Sequence, residues 1–318
     1  MNIMTKKVNK SVFTRLITLA ILIILMIVLS ILSPQFLTYD NVLNVLRQVT
    51  FVIITGSAAT LLMITGNMDL SVGSIVAFSG VISAVLATKD VPIFLAGVVG
   101  VLVGILLGIL NGFLVTKLNV TCVIATLGTM YVARGLSYIV TDGKSINSGL
   151  PKGFETIGRS MVAGFPIAVL IAIIILLVFY FLESKTLFGK YSFAVGGNKN
   201  AATLSGIKSN RIVWILYALT GTMAGLSGVI MASRLGAGDP NVGNGFEFDC
   251  IVAIVLGGTS VSGGSGSVIG MALGAMIVGF LSNGLNLIGV GSFYQTVFKG
   301  IILVGAVVLD SLMKKKLK

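Results

Sequence analysis

The sequence contains no histidine, only two cysteines and few charges. Charged residues make up 10% of the 318 residues. Without histidine, the chain offers neither a histidine metal cluster nor a histidine proton relay. The cysteines, Cys122 and Cys250, lie near the start of two apolar runs that we place on opposite sides of a membrane, so we expect no disulfide between them. We therefore predict no metal site and no cofactor.

Catalytic motifs are also absent. Gly143-Lys144-Ser145 resembles the end of a phosphate-binding loop, but Tyr138 stands where that motif requires glycine. The run Gly264-Ser265-Gly266 begins a dinucleotide-binding pattern that fails at Ile269. We therefore predict that the chain is not an enzyme, has no catalytic residues and cannot hydrolyse ATP by itself.

Apolar residues dominate what is present. They make up 56% of the chain, and the mean hydropathy is +1.06. Because a membrane-spanning helix needs about 20 apolar residues, we predict an all-α polytopic membrane protein, a single transmembrane domain over residues 1–318. About ten spans are expected, at 16–32, 49–65, 70–87, a segment ending near 116, 121–140, 165–182, 212–233, 250–260, 267–288 and 292–309.

The positions of the basic residues predict the orientation. The net charge is +12, but the lysines and arginines lie in short loops and at the termini, which is typical of cytoplasmic segments rather than of a nucleic-acid-binding face. We place both termini and the loop 183–211 in the cytoplasm, and the segments 141–164 and 236–249 outside. The basic residues behind this orientation are Lys6, Lys7, Lys10, Arg15, Lys117, Lys185, Lys190, Lys199, Lys208, Arg211, Lys314, Lys315, Lys316 and Lys318.

The cytoplasmic loop carries signals of a short helix. Asn198 is a suitable N-cap, and Gly206 stands where a helix end favours positive φ. We expect about two turns of helix that expose Leu204 and Ile207. From these residues alone, the helix could either lie on the membrane surface or dock a soluble partner.

Two Gly/Ser-rich segments interrupt the apolar blocks: break 1 (residues 65–74) and break 2 (residues 257–266). Asn111-Gly112 and Asn283-Gly284 form a weaker echo of the same repeat. Irregular backbone inside a membrane needs protein or a water-filled cavity to satisfy its polar groups, and paired interruptions predict two pseudo-repeated halves around a translocation path. The predicted path residues are Asn67, Asp69, Ser71, Ser74, Asn111, Thr259, Ser260, Ser262 and Asn283.

Structural explanations of the same features stay open at this stage. The breaks could be ordinary turns, with Asp69 as the N-cap of a helix that starts at Leu70. Arg134 is expected to extend from its span to the outer interface. Glycines spaced four apart predict close helix packing: Gly100, Gly104, Gly108 and Gly112, then Gly221 and Gly225, then Gly270 and Gly274.

Several motifs together resemble a known family. They are residues 66–74 (GNMDLSVGS), 194–207 (AVGGNKNAATLSGI), 255–264 (VLGGTSVSGG) and 283–290 (NGLNLIGV) followed by Phe293-Tyr294-Gln295. In this order and spacing, the sequence resembles the ribose-type permeases of ATP-binding cassette sugar importers over about residues 33–310. Asn67 departs from the pattern, since many relatives carry a small residue there.

The resemblance implies partners and roles. It implies a permease in a bacterial cytoplasmic membrane that forms a homodimer, binds two ATP-binding cassette ATPase domains inside, and receives sugar from an extracytoplasmic binding protein. The breaks would line or gate the path, and the segments 141–164 and 236–249 would contact the binding protein. The residues that would couple to the ATPase are Gly196, Gly197, Asn198, Asn200, Ala201, Ala202, Leu204, Ser205, Gly206 and Ile207.

The function that follows is import of a monosaccharide by alternating access driven by a separate ATPase. Ribose is the first candidate substrate. A related importer could instead carry another sugar, autoinducer-2, a nucleoside or a branched-chain amino acid. A secondary transporter is the alternative from another class. Such a carrier usually has coupling groups within its spans, where this chain offers only Asp69 and Arg134.

Overall fold

The computed structural model describes residues 2–315, which form helices and one short hairpin. The helices are α1 (Asn2–Leu32), α2 (Tyr39–Ile64), α3 (Val72–Ala87), α4 (Ile93–Thr116), α5 (Cys122–Thr141), α6 (Thr156–Arg159), α7 (Ile167–Lys185), α8 (Leu187–Gly197), α9 (Lys199–Leu204), α10 (Ser209–Leu235), α11 (Phe246–Leu256), α12 (Val268–Leu287) and α13 (Ser292–Lys315). Strands β1 (Met161–Val162) and β2 (Phe165–Pro166) pair antiparallel. The helical fold class is confirmed, and the hairpin was not predicted.

Seven helices in the described part of the chain are long and apolar enough to cross a membrane: α1, α2, α4, α5, α7, α10 and α12. Two of the predicted spans correspond to helices that are too short to belong to this group. The third is α3, with 16 residues, and the eighth is α11, with 11 residues, whereas about 20 residues are needed to cross the hydrocarbon core. A polytopic membrane protein therefore stands, while the count of ten spans remains a prediction.

The orientation of the termini also remains a prediction. Lys316 and Lys318 lie outside the described residues. The side chains of Lys6, Lys7, Lys10, Lys314 and Lys315 are not among those that the structure describes either.

The helices divide into two compact units that do not follow the sequence halves. Unit 1 comprises the described parts of 1–66, 176–198 and 248–318, and unit 2 comprises 67–175 and 199–247. In unit 1, α12 packs on α1 and α2. The rings of Phe36 and Phe280 meet edge to face, with centroids 5.7 Å apart. In its first half, α12 approaches the short α11 closely, since a Cβ on Gly270 or Gly274 would collide with the backbone of Gly257 or Ala253.

In unit 2, α4 and α10 pack along a glycine seam. A Cβ on Gly104 would collide with the carbonyl of Gly221, and a Cβ on Gly221 would collide with that of Gly104. One turn further, a Cβ on Gly108 would strike the carbonyl of Tyr217. The indole of Trp214 closes the seam by donating to the carbonyl of Ile109 at 3.0 Å. Close packing, predicted from the four-residue spacing, is confirmed here.

The two predicted outer segments meet in unit 2. Ile146 and Gly238 exchange two backbone hydrogen bonds of 2.9 Å each. Ser233 donates to the carbonyl of Phe154 at 2.7 Å, and Arg159 donates to the carbonyls of Arg234 and Leu235. Of these bonds, the pair between Ile146 and Gly238 joins the two segments directly. Helix α11 already begins at Phe246, within the second segment, and the placement of both segments outside stays a prediction.

Arg134 takes part in the same region. Its guanidinium donates to the carbonyls of Pro240 and Val242, the latter at 2.7 Å. The sequence predicted that this side chain extends to the membrane interface. It fastens the loop after α10 to α5, because two carbonyls of that loop offer a charge-assisted pair of hydrogen bonds. Its reach to the interface stays a prediction.

Candidate functional site

The loop 183–211, predicted as one polar interruption, is mostly helical. Helix α7 continues to Lys185, and α8 begins after the N-cap Thr186, whose side chain accepts from Gly189 N at 3.3 Å. Helix α8 then packs on α2, with Val195 buried. The sequence hid this helix because two glycines, Gly196 and Gly197, stand at its end.

The predicted short helix exists as α9. Asn198 directly precedes it, and Gly206, with φ +84°, follows it. Gly206 N donates to Thr203 O, and Ile207 N to Ala202 O, both at 3.0 Å. This pair of bonds is the Schellman end that a glycine permits. The predicted role of Gly206 is confirmed, although α9 has six residues rather than two full turns.

The exposure of α9 agrees with the prediction at one of its two apolar positions. Leu204 is 90% exposed, and its neighbours Asn200, Ala201 and Ser205 are exposed too. Ile207, predicted as exposed, is half-buried, because the Schellman bond folds the chain back at this residue. Ala202 lies on the buried side.

A concave, basic surface lies beside α9 within unit 2. Its volume is ≈ 670 Å³. It is lined by Lys199, Asn200, Thr203, Leu204, Ile207, Lys208, Ser209, Asn210 and Arg211. Three of these side chains are cationic and none is acidic. The surface is therefore suited to a partner that presents acidic groups around an apolar contact for Leu204.

Break 1 forms a buried hydrogen-bond network. Asp69 accepts from Ser71 N at 2.8 Å and from Ser71 Oγ at 2.5 Å. Asn111 Nδ2 donates to Ser71 Oγ at 2.9 Å and to both carboxylate oxygens of Asp69, at 3.4 and 3.3 Å. Tyr217 donates from its hydroxyl to the carbonyl of Met68 at 3.0 Å. The structure thus brings three of the predicted path residues together, and it buries them.

The network corrects the expected cap. Helix α3 begins at Val72 rather than at Leu70, so Asp69 acts through the N–H and hydroxyl of Ser71. Ser74 is buried within α3, whereas Asn67 is half-buried. Among the predicted path residues in break 1, which are Asn67, Asp69, Ser71 and Ser74, Asn67 is the most accessible.

Break 2 satisfies much of its backbone internally. Ser260 N donates to Ser265 O and Gly263 N to Ser260 O, each at 3.0 Å, and Ser267 N donates to Thr259 Oγ1 at 3.2 Å. Thr259 and Ser260 are buried, and Ser262 is exposed. In a low-dielectric region such closure of polar groups is required.

Three backbone segments converge at break 2 in unit 1. Gly264 N donates to the carbonyl of Ile64, the last residue of α2, at 2.9 Å. A Cβ on Gly263 would lie 2.7 Å from Gly66 N, at the start of break 1. A Cβ on Gly196, in the last turn of α8, would collide with the carbonyl of Ile64 and lie 2.6 Å from Gly264 N. The predicted coupling segment therefore touches break 2 at Gly264 and the end of α2 at Ile64.

Asn283 pairs with another asparagine, and its predicted place on the path stays a prediction. Its amide exchanges hydrogen bonds of 2.8 and 2.9 Å with the amide of Asn41. Asn111, its partner in the sequence echo, instead contacts break 1. The two asparagines are therefore not equivalent, and the pseudo-repeat remains a prediction.

Two further residues escaped the sequence analysis. Asn41 carries no local signal, because its partner lies 242 positions away. Glu183 was taken as the acid of a polar loop, but it is buried and accepts from Val268 N at 2.7 Å. Its place at the end of an apolar run was a signal that could have suggested burial.

Comparison with known proteins places the chain among permeases. Residues 41–307 match the model of the family described as branched-chain amino acid transport system / permease component. Ribose import permease protein RbsC of Bacillus subtilis (strain 168) is 44% identical, over 91% of this chain and 90% of that protein. RbsC of Escherichia coli (strain K12) is 39% identical, over 92% of each chain.

The D-allose transport system permease protein AlsC of Escherichia coli (strain K12) is 37% identical, over 94% of this chain and 92% of that protein. No solved structure gives a significant match.

Proposed function

Because this chain belongs to the branched-chain amino acid transport system / permease component family, we propose that it is the membrane permease subunit of an ATP-binding cassette importer. The importer carries a monosaccharide, and ribose is the first candidate substrate. One observation carries the proposal: near-full-length similarity to sugar permeases coincides with the exposed helix α9 at the expected position. As a permease it is a transport subunit rather than an enzyme.

The partners follow from the class of importer. ATP hydrolysis is supplied by ATPase subunits on the cytoplasmic side, and an extracytoplasmic binding protein delivers the sugar. We propose that α9 is the coupling helix: Leu204 enters an apolar groove of the ATPase, and Lys199, Lys208 and Arg211 meet acidic groups around it. The second permease copy is identical to the first, and the complex lies in a bacterial cytoplasmic membrane.

Transport proceeds by alternating access. ATP binding draws the ATPase subunits together, their movement displaces α9, and the path opens toward the loaded binding protein. Hydrolysis then resets the complex. Asn67 in break 1 is kept as a path residue because its side chain is accessible, and Ser262 in break 2 is kept for the same reason. The buried residues Asp69, Ser71 and Asn111 instead hold the backbone of break 1 in shape.

The experiment is uptake of radiolabelled ribose into vesicles that contain this chain, its ATPase and its binding protein, with and without ATP. ATP-dependent ribose uptake is the expected result. Uptake that is equal without ATP or partners would indicate a secondary carrier and refute the proposal. Competition by unlabelled D-allose and L-arabinose then ranks the substrates, and ribose is expected to compete best. These are the sugars named for AlsC and for the L-arabinose transport system permease protein AraH of Escherichia coli (strain K12).

A further inference from the structure

The proposed function gives no role to Glu183, a buried acid. Glu183, in the last turn of α7, is 6% exposed, and its Oε2 accepts from Val268 N at 2.7 Å. Val268 is the first residue of α12, where backbone N–H groups have no partner within the helix and the helix dipole favours a negative charge. The carboxylate therefore fixes the start of α12 directly after break 2.

A second contact joins the same segment to break 2. Gly196, near the end of α8, packs against the carbonyl of Ile64 and against Gly264 N without room for a Cβ. The next residue, Gly197, belongs to the same contact, since a Cβ on Gly264 would lie 3.2 Å from the Cα of Gly197. Residues 183–197, which we call the arm, thus touch break 2 near Gly264 and its exit at Val268.

The corner inside the arm is tightly closed. Thr186 Oγ1 donates to the carbonyl of Leu182 at 2.6 Å and accepts from Gly189 N at 3.3 Å. A Cβ on Gly189 would collide with the carbonyls of Leu182 and Glu183. Because hydrogen bonds and backbone contact hold the end of α7 and the start of α8 together, the arm is built to move as one body.

We infer that the arm transmits the displacement of α9 to break 2, with Glu183 as the positioning residue. Helix α9 follows α8 after the single residue Asn198, so the chain itself connects α9 to the glycine end of the arm. At its other end, the carboxylate of Glu183 carries the movement to the start of α12. This inference rests on the proposed function, because it needs an ATPase that moves α9.

The test measures uptake and ATP hydrolysis together, in proteoliposomes that contain the complete importer. The readout is the number of sugar molecules transported per ATP hydrolysed, with radiolabelled ribose as the probe. In Glu183→Ala this ratio falls about tenfold, since a hydrogen bond to a charged group is lost. In Glu183→Gln, which keeps the size and an acceptor oxygen, the fall is about threefold, since charge-assisted bonds are roughly twice as strong as neutral ones.

Gly196→Ala tests the other end of the arm. The number of sugar molecules transported per ATP falls about fivefold in this variant, because overpacking forces the neighbouring backbone to shift. Gly128→Ala is the matched control. Gly128 is also a helical glycine, but a Cβ on it meets nothing within 4 Å. Its ratio stays at the wild-type value.

Each outcome decides one claim. Variants that hydrolyse ATP but transport less sugar per ATP support the arm. Uptake and hydrolysis that fall in parallel, leaving the ratio unchanged, overturn it, because Glu183 and Gly196 would then serve stability alone. If Glu183→Ala and Gly196→Ala fail to assemble, Glu183→Gln decides by the same ratio. Wild-type complex without ATP-dependent uptake of any tested sugar refutes the proposed function instead.

Discussion

Truncation of Leu204 on α9 is the most direct test of docking. The side chain is 90% exposed in the isolated chain, so Leu204→Ala changes the free energy of unfolding by no more than about 0.5 kcal/mol. Alanine also has the highest helix propensity, so α9 itself persists. Any loss of function must then come from a weaker contact with the partner.

The expected magnitude follows from the atoms removed. The change to alanine deletes three carbon atoms, each worth ~0.8 kcal/mol when buried, so a fully buried Leu204 loses ~2.4 kcal/mol of binding free energy. Since 1.4 kcal/mol is a factor of ten, the ATPase is expected to bind about fiftyfold more weakly. Biolayer interferometry on the permease in nanodiscs measures this affinity.

The matched control is Leu118→Ala. Leu118 is also an exposed leucine, 57% accessible, and it follows α4 on the side that we place in the cytoplasm. Its truncation leaves ATPase affinity unchanged. Equal affinity of Leu204→Ala and the wild type would refute the docking role of α9. An equal loss in both variants would show that exposed leucines bind the ATPase without specificity.

Three further changes test other contacts. Gly206→Val places a β-branched residue at φ +84° and costs about 1–3 kcal/mol at the end of α9, lowering ATP-driven uptake, whereas Gly206→Asn is tolerated better. Gly104→Val forces a side chain into the α4–α10 seam and lowers the free energy of unfolding by about 1–3 kcal/mol, which is measured as a lower melting temperature in detergent. Arg134→Met frees the loop after α10 and weakens docking of the binding protein, seen as less stimulation of ATP hydrolysis.

Contrary results have specific meanings. Normal uptake by Gly206→Val would show that the Schellman end of α9 is not needed for coupling. An unchanged melting temperature in Gly104→Val would mean that α4 and α10 separate at little cost. Full stimulation by the binding protein in Arg134→Met would remove the loop after α10 from the docking surface.

Helix α9 shows how far local signals reach. Asn198 and Gly206 marked its position because capping depends on residues a few positions apart, and the structure has the helix between them. The glycine spacing of α4 and α10 was equally local, and it predicted their close packing. The motif order predicted the family, which the relatives confirm.

The sequence by itself determined the apolar helical class, the position of the short helix α9 and the family, because each depends on composition or on short-range pattern. The tertiary structure alone decided which polar residues meet. It paired Asn283 with Asn41, tied Arg134 to the loop after α10, and buried Glu183 at the start of α12. These contacts join residues tens to hundreds of positions apart, and a buried polar group takes whichever partner packing brings within reach.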